Sequence, residues 1–308
     1  MNDRRFGPVE NAEALGVVEG TWSLDSYEDR DGYDPTFLGG AEIPLPTPGR
    51  HLNTVATLKE EAKADGLPNW ELRYRHFSVA FDGARQLPLF SAVNIDGERI
   101  DRDTASNGSW RRDPRIPSSI QNLREGYGHA HKGFFSRGHM TRRLDPNWGE
   151  KDKVLQADAD TFHITNAAPQ QQGFNSPIWL RLEDYVIDNA GAQDLRISVF
   201  TGPVLREDDP LYYGRRVPLD FWKIVLFLDP RSGGPSCIGY RRSQAKNVPS
   251  AQGGFIFGNF EDCQVPVAWI AQATGLQMKA LIEVDVMRGA DPRMWVRLGS
   301  LEDLYLRR

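Results

Sequence analysis

Cysteine is scarce in this chain, with two among 308 residues, Cys237 and Cys263. They form neither a CxxC pair nor a zinc-ligand set, which excludes a cysteine-built metal module. They read as buried free thiols; a disulfide between them is the alternative for an exported protein, and the sequence leaves both open. No run approaches the about 18 apolar residues that a membrane-spanning helix needs. The polar start, Met1 to Glu13, lacks the apolar core of a signal peptide. That sets a cytoplasmic expectation, with a trimmed signal or another export route as the alternative. Low-complexity segments and internal repeats are absent. So are the carboxylate cluster of a two-metal enzyme and the motifs that surround a serine or cysteine nucleophile.

What remains is an ordinary globular composition, 40% hydrophobic and 26% charged, long enough for one large domain or two small ones. No linker divides it. The net charge of −5 argues against a surface coated by nucleic acid throughout, but the charge is unevenly spread. Residues 101–153 hold 11 Lys and Arg against 7 Asp and Glu, a local +4, and contain His129, His131 and His139. The remainder carries −9.

The pattern is rich in strands. Tyr74 to Phe81 alternates as a half-buried strand, Asp82-Gly83 marks a hairpin, and Leu87 to Ile95 returns. Thr161 to Thr165, Arg196 to Pro203, Phe221 to Leu228 and Cys237 to Tyr240 are further strand candidates. Leu52 to Asp65 has weak helical spacing. Asn175 to Ala190 reads as a helix with Ile178, Leu182, Tyr185 and Val186 on one stripe. Pro266 to Thr274 reads as a helix closed by Gly275. Strands and helices do not alternate regularly, so an α+β fold with a largely antiparallel sheet is expected. Residues 1–70 are an irregular lead-in and 71–308 the main domain.

The chemistry concentrates in Ser136-Arg137-Gly138-His139-Met140, followed 26 residues after the histidine by Thr165-Asn166-Ala167-Ala168-Pro169-Gln170, then Asn175 and Glu183. Histidine is the natural base for taking a proton from water. Asn175 has two readings, helix N-cap and neutral oxygen ligand for Mg²⁺, which keeps several of its own waters. Glu183 shares its helix face and could hydrogen-bond water around such an ion. Arg137, Arg142, Arg143 and Arg181 are candidate phosphate clamps.

In these motifs the chain resembles the DNA/RNA non-specific endonuclease family, the ββα-metal nucleases of Serratia-nuclease and endonuclease-G type. The signature Asp-Arg-Gly-His stands here as Ser136-Arg137-Gly138-His139. The downstream pattern stands as Thr165-Asn166, Pro169-Gln170, Asn175, Trp179 and Leu182-Glu183. Further similarity lies in His139 to Gly149, Thr201 to Val204, Pro218 to Val225 and Val265 to Leu276, so that roughly residues 70–280 are covered.

The resemblance implies a ββα-metal nuclease fold, with a largely antiparallel central sheet flanked by helices. It implies His139 as general base, Asn175 as ligand of Mg²⁺ (or Mn²⁺), Glu183 on the ion's water, Arg137 on phosphate and Asn166 supporting the site. There are two departures. Ser136 replaces the signature aspartate, which leaves the balance of endo- and exonuclease action open. A second arginine is expected where Gly108 stands, near Trp110-Arg111-Arg112-Asp113-Pro114, with Arg111 or Arg112 as its substitute. The implied activity is metal-dependent cleavage of DNA and RNA to 5′-phosphates, with no membrane partner and with homodimers common in the family. The alternatives are a toxin or defence effector held inactive by an inhibitor or immunity protein, and a catalytically weak nucleic-acid-binding protein on the same fold.

Overall fold

The computed structural model describes residues 22–39, 42–106, 108–123, 127, 135–171, 196–212, 214–245 and 261–297. Its frame is an antiparallel sheet of eight strands in the order β1-β2-β3-β6-β9-β10-β11-β12. These are β1 (Leu72–Tyr74), β2 (Phe77–Asp82), β3 (Leu87–Asp96), β6 (Arg196–Val204), β9 (Asp220–Leu228), β10 (Pro235–Ser243), β11 (Glu261–Val265) and β12 (Val296–Arg297). Two short ribbons lie outside it: β4 (Phe135–His139) with β5 (Ala167–Gln171), and β7 (Leu211–Tyr212) with β8 (Arg215–Arg216). The fold is α+β.

The sheet is covered on both faces, which explains why its strands read as continuous apolar runs rather than strict alternations. Every residue of β3 is buried. One face packs Phe90, Phe200, Trp222, Ile224 and Leu226 against the helix Val267–Thr274. The other packs Tyr74, Phe77, Val79, Val93, Val199 and Val225. Gly275 closes the helix at φ +72°, as expected of a C′ glycine.

Three expectations are corrected. The single strand Tyr74 to Phe81 is two strands, because the chain reverses at Arg75-His76, with His76 at φ +65°. The ring of His76 stacks on Trp148 at 3.5 Å and its Nδ1 donates to the carbonyl of Pro146 at 2.8 Å, contacts that hold a conformation a histidine seldom adopts. Thr161 to Thr165 is the end of a helix, α1 (Lys151–Thr161), followed by a 3-10 turn Ile164–Asn166, and meets Arg111 only through an isolated bridge at His163. Leu52 to Asp65 forms short turns, not a helix. The helix expected over 175–190 lies outside the described residues.

Cys237 and Cys263 are buried free thiols. Cys263 pairs with Arg241, four residues along β10 from Cys237, which puts the two roughly 14 Å apart at strand spacing, beyond disulfide reach. Among the described residues, no helix is long and apolar enough to cross a membrane.

Candidate active site

The β4–β5 ribbon carries the signature. His139 pairs with Ala167, Gly138 with Ala168 and Arg137 with Pro169. Alternation along a strand puts Phe135, Arg137 and His139 on one face and Ser136 and Gly138 on the other. The two faces have different tasks. On the first, the His139 ring stands 4.7 Å from Trp110 and edge-on to Phe162 at 5.0 Å, half-buried in an aromatic notch. On the second, the side chain of Gln170 lies over Gly138, where an added Cβ would stand 1.9 Å from Oε1.

The notch is assembled from distant segments. The N–H of Arg111 donates to the carbonyl of Phe162, and that of Ile164 to the carbonyl of Arg111. The Trp110 stretch is thereby laced alongside the approach to β5. Trp110, Leu123, Tyr127, Phe162, Ile164 and Ala167 form a small separate core behind the histidine.

Asn166 is fully buried and joins three segments. Its Oδ1 accepts from the N–H of Thr141 at 2.8 Å; its Nδ2 donates to the carbonyls of Thr141 at 2.9 Å and Thr161 at 3.0 Å. The Met140 N–H donates to its backbone carbonyl at 2.8 Å. Both amide protons are used internally, so Asn166 fixes the chain just after His139, at Met140 and Thr141, and ties it to the end of α1.

The arginines separate in the same way. Arg137 donates through Nε and Nη2 to the carbonyl of Leu123 and lies over the ring of Tyr127 at 5.1 Å. Arg143 is bound to the buried carboxylate of Asp158 at 2.7 Å, and its Nη2 donates to the carbonyl of Ser106. Arg111 lies over Trp22 at 3.9 Å, and burial pulls its pKa down. Arg112 donates to the carbonyl of Gln121 at 3.1 Å, and the Arg142 side chain is half-buried beyond the ribbon. Gly108 sits at φ +67°, so an arginine at that position would be strained. Asn175, Glu183, Arg181, His129 and His131 lie outside the described residues.

Beneath the site runs a buried polar network that the sequence reading missed. Tyr74 donates to Asp113 at 2.6 Å and contacts Thr165 at 2.6 Å; Arg115 grips Asp113 at 2.7 Å. Burial alone would raise the Asp113 carboxyl, but Arg115 outweighs it and holds the pKa at about 2. The His163 Nδ1 donates to the carbonyl of Asp160 at 2.8 Å, which leaves Nε2 to accept from Tyr27 at 2.6 Å. Burial pushes its pKa down to about 3, so it is neutral. The Asp in Trp-Arg-Arg-Asp-Pro, just before a proline, was the one available signal of this network.

An α+β core presents a histidine and an arginine on one face of a short ribbon, with an asparagine pinning its far end, and this arrangement is the candidate site. The DNA/RNA non-specific endonuclease model matches residues 56–284, and the chain belongs to that family. The family is divalent-metal dependent. An uncharacterised protein y4fB of Sinorhizobium fredii is 38% identical over 83% of this chain and 40% of its own length. Mouse mitochondrial nuclease EXOG is 30% identical over 61% of this chain and 48% of its own. The chain thus spans less than half the length of these relatives. A chain of the solved EndoG/EndoGI complex aligns with a TM-score of 0.48 at 20% identity, over 69% of this chain and 86% of that one.

Proposed function

We propose that this chain hydrolyses phosphodiester bonds of DNA and RNA without sequence preference, leaving 5′-phosphates, with His139 as general base. The observation that carries this reading is the placement of His139 and Arg137 on the same face of the β4–β5 ribbon, two residues apart. Successive same-face residues of a strand stand roughly 7 Å apart, close enough to flank one phosphate.

Among the described residues, no group of three or more His, Cys, Asp or Glu could hold a metal ion. We assign Asn175, which lies outside the described residues, as the neutral oxygen that would hold one hard ion, completed by water and phosphate. Mg²⁺ is the expected ion, with Mn²⁺ as a substitute. When bound, the ion supplies charge neutralisation at the phosphate and leaving oxygen.

The imidazole of His139 takes the proton of the attacking water. The aromatic walls of Trp110 and Phe162 fix its ring plane and exclude competing solvent. Arg137 contributes positive charge where the pentavalent phosphorus gathers negative charge. Asn166 keeps the end of β4 in register for this geometry. Glu183 is assigned to the water around the ion, and Arg142 and Arg181 to the flanking backbone. Phosphate contacts carry no sequence information, which accounts for weak sequence preference.

The test is incubation with supercoiled plasmid and single-stranded RNA, in Mg²⁺ and in EDTA, beside His139→Ala. Metal-dependent degradation that falls by about 10²–10⁴-fold in the variant supports the assignment. Intact substrates under every divalent metal, or full activity in the variant, overturn it.

A further inference from the structure

We infer that the β7–β8 hairpin is a second phosphate-holding element, in which Arg215 and Arg216 grip the nucleic-acid backbone to one side of the scissile bond. This rests on the nuclease reading above and extends it. A narrow cleft next to the active ribbon is lined by Arg85, Asn122, Tyr127, Pro169, Arg215 and Arg216. Two of these residues tie it to the active site. Pro169 is the strand partner of Arg137, and Tyr127 carries the Arg137 guanidinium on its ring at 5.1 Å. Partnered residues of an antiparallel pair share a face. The Pro169 edge of the cleft is therefore on the His139 face of the ribbon, roughly 7 Å along it from the histidine.

The hairpin is held in place from both sides. Tyr212 packs on Phe135 at the start of β4, 5.3 Å between rings, and is the strand partner of Arg215. Arg85, in the turn between β2 and β3, pairs with buried Asp209 at 2.5 Å, and Arg216 donates to the carbonyl of Asp209 at 2.9 Å. The charge of Arg85 is thus met by a carboxylate, whereas the bond that anchors Arg216 ends on a neutral carbonyl. Arg215 lies on the Tyr212 side of the hairpin, the side that meets Phe135, and Arg216 on the alternate side beside Asp209; both border the cleft. Of the carboxylates nearby in sequence, Asp209 is paired with Arg85 and Asp220 with Arg206 and Arg241, and Glu207 and Asp208 are exposed on the preceding loop. Guanidinium groups match phosphate geometry, and phosphate contacts carry no sequence information.

The experiment compares wild type with Arg215→Ala/Arg216→Ala on a labelled single strand of about 30 nucleotides and on a dinucleotide, the long strand being the one that releases counterions along its length. Binding of the long strand is measured separately by fluorescence anisotropy in EDTA, so the inference is decided even if the wild type does not cut. In the double variant, Kd for the long strand should rise about 10-fold or more, and the slope of log Kd against log salt should shrink by about 1.4, the value for two single-strand phosphate contacts. The ratio of kcat/KM on the long strand to that on the dinucleotide should fall by a similar factor. Arg215→Lys/Arg216→Lys keeps the charge, should retain most of the salt slope, and controls for folding. Unchanged Kd and salt slope in a folded double variant overturn the inference. So does an equal loss of kcat/KM on both substrates, which would make the hairpin a structural prop. Absence of cleavage by wild type, with binding lost in the variant, would instead overturn the nuclease reading and leave the hairpin assignment standing.

Discussion

The amide of Gln170 lies over Gly138 on the back of the β4–β5 ribbon, where a side chain at position 138 would project, 1.9 Å from an added Cβ. The glycine before His139 leaves the room that the Gln170 side chain fills from across the strand pair.

Gly138→Ala should displace either Gln170 or the end of β4, and lower turnover by about 10-fold or more, since small misplacements at a reacting centre are costly. Gln170→Ala in the same chain should restore much of the loss. A double-mutant cycle on kcat checks this coupling. Additive effects would show that the two side chains do not share this space.

Asn166→Ala strands the Thr141 N–H and the carbonyls of Thr141 and Thr161 in the interior. Destabilisation of about 2–4 kcal/mol is expected, because buried groups lose partners they cannot replace with water. Urea unfolding measures it, and kcat at low temperature should fall as well. A folded variant of wild-type stability would contradict the joining role.

Arg143→Ala should register in stability rather than in substrate affinity. The arginine neutralises Asp158, whose side chain is fully buried while that of Arg143 is 28% exposed. The Ser106 N–H and the Asn147 amide remain on the carboxylate, so a cost of about 1–3 kcal/mol is expected. A tenfold rise in KM with an unchanged melting temperature would place Arg143 on the substrate instead.

Acid should destabilise the protein well above the carboxylate range. His163 is held at about 3 and His76 at about 4 by burial. Below about pH 6.5 the unfolded chain takes up these protons and the native state does not, so stability is full above that pH and is lost as pH falls toward the native values. Each histidine contributes a slope of up to about 1.4 kcal/mol per pH unit. Urea midpoints between pH 4 and 7, compared with those of His163→Gln, should show the slope reduced in the variant. Parallel curves would rule out a neutral His163 as the cause.

The long apolar runs at Leu87 to Ile95, Arg196 to Pro203 and Phe221 to Leu228 announced the core strands, because a sheet covered on both faces needs apolar side chains at consecutive positions. Helix α1 was not legible: its sequence, Lys151 to Thr161, places Asp158 and Asp160 inward, where Arg143 and Arg30 neutralise them. A helix that buries charge has no apolar stripe to read. The Arg75-His76 reversal was hidden for a similar reason, since it lacks glycine or asparagine and is held by contacts with Pro146 and Trp148, far along the chain.

By itself the sequence determined the family, the strand core and the residues of the signature, because those depend on residue type at fixed spacing. Only the tertiary structure decided what each polar side chain does. Arg137 and Arg143 are the same residue type a few positions apart, yet one lies on the His139 face of the β4–β5 ribbon and the other grips a buried aspartate. A charge acquires its role from the partner that desolvates or neutralises it, and those partners (Tyr127, Asp158, Trp22) come from segments that only folding brings together.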